Sequence, residues 1–403
     1  MRTCSPLFLL FFFLTACPGP QESDQPDVGT QDVTDDTHTS DTDTDSPDAD
    51  SPDADVDDTR TDFSGNPCVL YEDPGPFHVG LRDETLPDGT PIAIFYPADE
   101  PSGDPASYDM RDFLPEDDRD LISDEDAPTF AFDAYIEAPI SDEGPFPVIL
   151  FSHGLAGYRF QSSTLLTHLA SWGFVVASAE HPERNLTHIL ENLAPDGDQA
   201  PETFRNMLDY LHLRNEHPDS SIRFVMDLSQ LATAGHSMGG GAALSLFDEP
   251  VQATLLYATA AANADTDGAD LFWMAGSTDA IATSSQILSA YSNAPTPRRF
   301  LGIQGAGHLA FSDICAIGAD RGGLLQIAAD AGINVPPVIM VLGNDGCRDT
   351  DLPVEDTWPI IHHYSVAHLR HAFGIDLDPV GLSQATAGCY HDVTSLQWSS
   401  ARE

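Results

Sequence analysis

The chain has 403 residues, and 65 acidic side chains against 16 basic ones give it a formal net charge of −49. Such a surface repels phosphate backbones and excludes nucleic acid as a partner. Every basic residue is arginine. Two readings fit this composition: adaptation to high salt, which screens carboxylate repulsion, or a compositional bias of the source genome.

At the N-terminus Arg2 precedes an unbroken Leu/Phe run from Leu7 to Leu14. That run is too short for a stable membrane-spanning helix, which needs about 20 residues, so residues 1–16 read as a signal peptide. Its end, Leu14-Thr15-Ala16-Cys17, resembles the lipobox of bacterial lipoproteins. The resemblance implies a cell-envelope lipoprotein of a bacterium, with Cys17 as the lipidated first residue and membrane anchor. Pro18, rather than aspartate, follows it, which favours the outer membrane. Residues 17–62 are dominated by Asp, Thr, Ser and Pro, with Ser-Pro-Asp-Ala-Asp at 46–50 and again at 51–55. This stretch cannot bury enough apolar surface to offset ordering and is expected to be a disordered acidic tether. Its repeated aspartates lack the glycine and glutamate of a structured calcium loop.

Residues 63–403 are expected to form one α/β domain. Strands are predicted at Ile92–Tyr96, Pro147–Phe151, Gly173–Ser178, 231–235, 253–258, 271–275 and 300–303, with helices near Ser162–Trp172, 203–213, 238–247 and 282–292. Strands alternating with helices predict a mostly parallel sheet covered on both faces, with ligands beyond the strands' carboxyl ends. The acidic stretch from about 100 to 145 lacks clear periodicity and reads as an insertion. Four cysteines lie in this domain, and an exported chain suggests two disulfides. Three connectivities are possible; the favoured one pairs Cys315 with Cys347 and Cys68 with Cys389.

The chemistry centres on Gly235-His236-Ser237-Met238-Gly239, which follows an apolar strand and runs into Gly240-Gly241-Ala242-Ala243. A strand, a sharp turn and a helix in this order lift the serine hydroxyl above the end of the sheet. A serine nucleophile needs a base, and the base an orienting acid. Asp279 follows the strand 271–275 and His308 follows the last strand, in the expected order acid then histidine. Asp265 and Asp267 are alternative acids, and Asp279 could also cap the helix that follows it. The oxyanion is assigned to the backbone N–H groups of Leu155, in Ser152-His153-Gly154-Leu155, and of Met238. Leu155, Met238, Ile281 and Leu309 are expected to line an acyl pocket suited to short or medium chains. His153 and His236 read as packing or hydrogen-bonding residues. His362, His363, His368 and His371 share a predicted helix without a carboxylate or cysteine to complete a ligand set, so no metal site is expected.

With these motifs the chain resembles the α/β-hydrolase superfamily, and within it the bacterial dienelactone-hydrolase-like group akin to platelet-activating-factor acetylhydrolases. The resemblance runs from about 70 to 390. Its marks are Gly75-Pro76-Phe77-His78-Val79-Gly80, Phe151-Ser152-His153-Gly154-Leu155, His181-Pro182, the Ser237 turn, Gly307-His308 and Asp345-Gly346-Cys347. It implies cofactor-free hydrolysis of small-molecule or lipid carboxylic esters by a Ser-His-Asp triad through an acyl-enzyme. Acetylhydrolases of the animal type carry the acid after the preceding strand, where this chain has Leu255-Leu256-Tyr257-Ala258-Thr259; Asp279 therefore takes that role. The glycine run after Ser237 is also similar to cutinases and polyester hydrolases, which keeps polyester or lipase activity open. A reading of another class is a non-catalytic surface-binding module on a hydrolase fold. The sequence leaves the oligomeric state open.

Overall fold

Alternate residues of the strand Phe146–Ser152 are buried in opposite cores, and this explains why its sequence shows no polar alternation. Val148 and Leu150 pack with Phe204, Met207 and Leu211 of the helix Ala200–Glu216. Ile149 and Phe151 pack on the other face with Leu166 and Leu169 of the helix Ser163–Ser171 and with Tyr364 of the helix Val354–Ala372. A third cluster joins Leu271 and Trp273 to Ile287 and Tyr291 of the helix Ser284–Asn293. A sheet covered by helices on both faces follows. The computed structural model describes residues 68, 70–246, 248–263, 266 and 268–400, all within one compact unit, Phe63–Glu403. The expected signal peptide, Cys17, the tether, Asp265 and Asp267 lie outside the described residues.

The strands are β1 (His78–Thr85), β2 (Pro91–Ala98), β3 (Pro105–Asp109), β4 (Thr129–Ile136), β5 (Phe146–Ser152), β6 (Val175–Ala179), β7 (Met226–His236), β8 (Val251–Tyr257), β9 (Asp270–Gly276), β10 (Arg298–Ile303) and β11 (Val393–Ser399). They form an 11-stranded sheet in the order β11-β10-β9-β8-β7-β5-β6-β2-β1-β4-β3. From β6 through β5, β7, β8 and β9 to β10 every pairing is parallel. β1, β3 and β11 pair antiparallel with β2, β4 and β10. This is the α/β-hydrolase fold. Because β5 lies between β6 and β7, the chain reverses its direction of travel across the sheet there, and a crevice opens beyond the carboxyl ends of β5 and β7.

Two expectations need correction. The stretch 100–145 is more than an insertion, since it supplies β3 and β4 at the sheet edge. Its signal is faint because β4 is half exposed along its length. The helix expected over 238–247 is only Gly239–Ala243, where three successive glycines give little helical propensity. The disulfides join Cys68 to Cys389 and Cys315 to Cys347. The first ties the start of the domain to the segment before β11, and the second closes a loop of two short helices, Gly323–Ala331 and Pro337–Leu342.

Candidate active site

Ser237 follows the last residue of β7 with φ +54°, a conformation costly for a residue bearing a Cβ. The turn survives because its surroundings over-determine it. The Ser237 N–H donates to the Tyr257 carbonyl at 2.9 Å, and the Ser237 carbonyl accepts from the Gly240 N–H at 3.0 Å. A Cβ on Gly235 would lie 2.1 Å from the Gly239 carbonyl oxygen, and one on Gly239 would lie 2.1 Å from that of Ser152. The two glycines therefore let the turn pack on itself and on the end of β5.

The fold brings Ser237, His308 and Asp279 together. Asp279, on the loop after β9, and His308, on the loop after β10, are 5% and 2% exposed. The Ser237 Oγ lies 2.8 Å from His308 Nε2, and His308 Nδ1 lies 3.0 Å from Asp279 Oδ2. A carboxylate facing Nδ1 holds the proton there and leaves Nε2 as an acceptor for the serine proton. The second oxygen of Asp279 accepts the N–H groups of Ile281 and Ala282, both at 2.8 Å. Asp279 is thus held by a local turn and is not the cap of the next helix. That helix begins at Ser284 and is capped by Thr283 and Gln286.

Asp345 is a residue to which the sequence alone assigned no role. It is 4% exposed, and its carboxylate accepts the His308 N–H at 3.0 Å and the Ala280 N–H at 2.9 Å. One buried side chain therefore ties the loop of the acid to the loop of the histidine. Arg348 holds it in turn, at 3.2 Å from Asp345 and 2.8 Å from Asp351. A Cβ on Gly307 would lie 2.4 Å from the Gly346 nitrogen, so the glycines allow this close approach. The adjacent Gly-His and Asp-Gly-Cys motifs were the available signal.

On the other side, Gly154 packs against Ser237: a Cβ added to it would lie only 3.1 Å from the Ser237 Cβ. Among the described residues, neither the Leu155 N–H nor the Met238 N–H has an acceptor within the protein. The loop from Ser152 to Ala156 is fixed from below by Arg184, whose guanidinium donates to Ser152 Oγ and the His153 carbonyl, and whose carbonyl accepts the Ala156 N–H. His153 donates from Nδ1 to the Gly154 carbonyl at 2.8 Å and accepts the His181 N–H at 3.0 Å. His236 donates from Nε2 to the His308 carbonyl at 3.0 Å, and Gln161 donates to its Nδ1 at 3.1 Å. Burial is the main cause that lowers both imidazoles to about 3. They are neutral and serve as struts.

A cavity of about 380 Å³ is lined by Leu155 and Ala156, which follow Gly154, and by Leu309, next to His308. Leu155 and Leu309 thus line it; Met238 and Ile281 do not. The helix after Ser237 is so short that the Met238 side chain stays 38% exposed at its start. Ile281 is held in the Asp279 turn. The four histidines of Val354–Ala372 diverge. His363 and His368 donate to the carbonyls of Gly381 and Asp270, and His362 stacks on His168.

The fold is that of the α/β-hydrolases, and it brings Ser237, His308 and Asp279 within hydrogen-bonding reach of one another. A family model, that of platelet-activating factor acetylhydrolase, isoform II, matches residues 120–217. The matched segment runs from the turn before β4 to the end of the helix Ala200–Glu216. It holds the Ser152–Ala156 loop and ends before Ser237.

Proposed function

We propose that this protein is a serine carboxylic-ester hydrolase working through an acyl-enzyme. The observation that carries the reading is the single imidazole of His308 placed between Ser237 Oγ and Asp279. His308 Nε2 takes the Ser237 proton as Oγ bonds to the ester carbonyl carbon, and the carbonyl oxygen becomes an oxyanion. The unpartnered Leu155 and Met238 N–H groups are the donors suited to it; such a donor is worth roughly 3 kcal/mol in the transition state. Collapse breaks the bond to the alkoxy oxygen, which receives the proton from His308 and leaves. Water then repeats the sequence at the acyl carbon, releasing the acid and restoring Ser237. Asp279 stabilises the imidazolium in both halves without taking its proton.

Hydrolysis of p-nitrophenyl butyrate by the full chain tests this reading. Turnover that disappears in Ser237→Ala is expected. No turnover would return the chain to the non-catalytic surface-binding reading, and turnover equal in the variant would remove Ser237 as the nucleophile.

The expected lipobox supports export to the outer membrane with Cys17 as the lipid anchor. Expressed in a bacterium, the chain should partition into the detergent phase, and Cys17→Ser should release it to the aqueous phase. Partition that survives this substitution would remove the anchor.

A further inference from the structure

The cavity lined by Leu155 and Leu309 is built by parts of the chain that lie outside the central sheet. Leu114 and Ile122 come from the segment between β3 and β4, and Leu190 from the helix Leu186–Asn192. Ile327 and Ile339 come from the two helices of the loop closed by Cys315–Cys347, and both cysteines line the wall. Leu114, Ile122, Ile327 and Ile333 form a separate buried cluster, so this cap packs on the 110–128 segment as a small apolar core of its own. Tyr158 also lines the wall, with its hydroxyl engaged by Tyr108 at 3.2 Å. Its lining includes Leu155 and Leu309, which are next in sequence to Gly154 and His308.

We propose that this chamber receives the acyl chain of the ester, a linear chain of about eight to fourteen carbons. The proposal rests on Ser237 being the nucleophile. Its size follows from volume: a cavity of about 150 Å³ accommodates benzene, so about 380 Å³ holds on the order of fifteen carbons. That lies at and beyond the longer end of the short or medium chains expected from the sequence. Its occupant follows from the order of events. The alcohol leaves after the first step and water must replace it beside His308 Nε2, whereas the acyl group stays bonded to Ser237 Oγ until the second. A walled apolar chamber holding the alcohol would have to empty and rewet in every turnover. One holding the acyl chain keeps its occupant through both steps.

The test is kcat/KM of the full chain on p-nitrophenyl esters from acetate to palmitate, each below its micelle concentration. Burying a methylene is worth up to about fourfold. A maximum between octanoate and tetradecanoate, at least tenfold above acetate, is expected. Ile327→Trp should cut the dodecanoate value at least tenfold and leave acetate within twofold; Leu190→Phe, a smaller intrusion, should do the same more weakly if Ile327→Trp does not fold. Alkyl acetates from methyl to decyl should react at similar rates. A flat or falling acyl profile with Ser237-dependent acetate hydrolysis overturns this inference alone, as does a length dependence found in the alkyl acetates instead. If no ester is hydrolysed, the proposed function fails, and calorimetry with dodecanoate decides the cavity: binding lost in Ile327→Trp supports it, and no binding overturns it.

Discussion

His308→Gln is expected to lower kcat for ester hydrolysis by about 10⁴-fold or more, with KM changed only a few-fold. Glutamine keeps much of the side-chain volume but cannot take the Ser237 proton and return it to the leaving oxygen. Asp279→Asn should lower kcat by about 10³- to 10⁴-fold. An amide at this position can donate to the imidazole, which favours the tautomer with its proton on Nε2, facing Ser237 Oγ at 2.8 Å. The Ile281 and Ala282 N–H groups would still find an acceptor in the asparagine oxygen, so the loss should fall on kcat and not on folding. Because the three residues act as one unit, the double variant should lose little more than His308→Gln alone. Parallel kcat and KM measurements with thermal unfolding of each variant check this. A His308→Gln enzyme within tenfold of wild type would remove His308 as the base.

Acidification from pH 7 to 5 is expected to destabilise the fold steeply. His153, His168, His181, His236, His362, His363 and His368 are all buried. Burial, first among the causes in each, depresses them: His153 and His236 to about 3, His168, His363 and His368 to about 4, and His181 and His362 well below the ordinary value. In the unfolded chain each titrates near 6.5. Below that pH the unfolded state binds protons that the folded state refuses. Stability is therefore complete above about 6.5 and declines as pH falls toward the folded values, by up to about 1.4 kcal/mol per histidine per pH unit. Burial acts oppositely on Asp313, raised to about 6, and on Glu180, also raised. These two hold protons in the folded state and gain stability as pH falls, but they are outnumbered. The net loss by pH 5 is on the order of several kcal/mol, comparable with the whole stability of many domains. Thermal unfolding followed by near-ultraviolet circular dichroism at pH 7, 6 and 5 reads it directly. A falling midpoint is expected, and a constant or rising one would contradict the neutral buried histidines.

How much of this was legible in the sequence depended on how local each signal is. β5, β6 and β9 are buried along their whole length, and β7, β8 and β10 toward their carboxyl ends, so each carries a run of buried, mostly apolar residues that stands out by itself. The turn at Ser237 is equally local, since its glycines answer clashes within five residues and with the end of β5. Asp279 and His308 were legible as the positions just beyond strand ends. The edge strands were not: β4 and β11 alternate buried with exposed residues weakly, and β4 lies in an acidic stretch that hid its Phe130 and Phe132. The cavity was not legible either, because its walls come from segments spread between Met110 and Asp349 that meet only in the fold. Met238 and Ile281, read as lining an acyl pocket by their nearness in sequence to Ser237 and Asp279, are not among its walls. Asp345 escaped for the same reason. It acts on His308 across 37 residues and on Ala280 across 65, and only the folded chain shows that one carboxylate serves both loops.

Activation of Ser237 as a nucleophile by His308 underlies every step proposed above. It is read most directly by reaction of the folded full chain with a fluorophosphonate, followed by mass analysis of the peptide that carries the adduct. One adduct is expected, on Ser237, absent from Ser237→Ala and strongly slowed in His308→Gln. No adduct on the folded wild type, or equal labelling of Ser237→Ala, would contradict it.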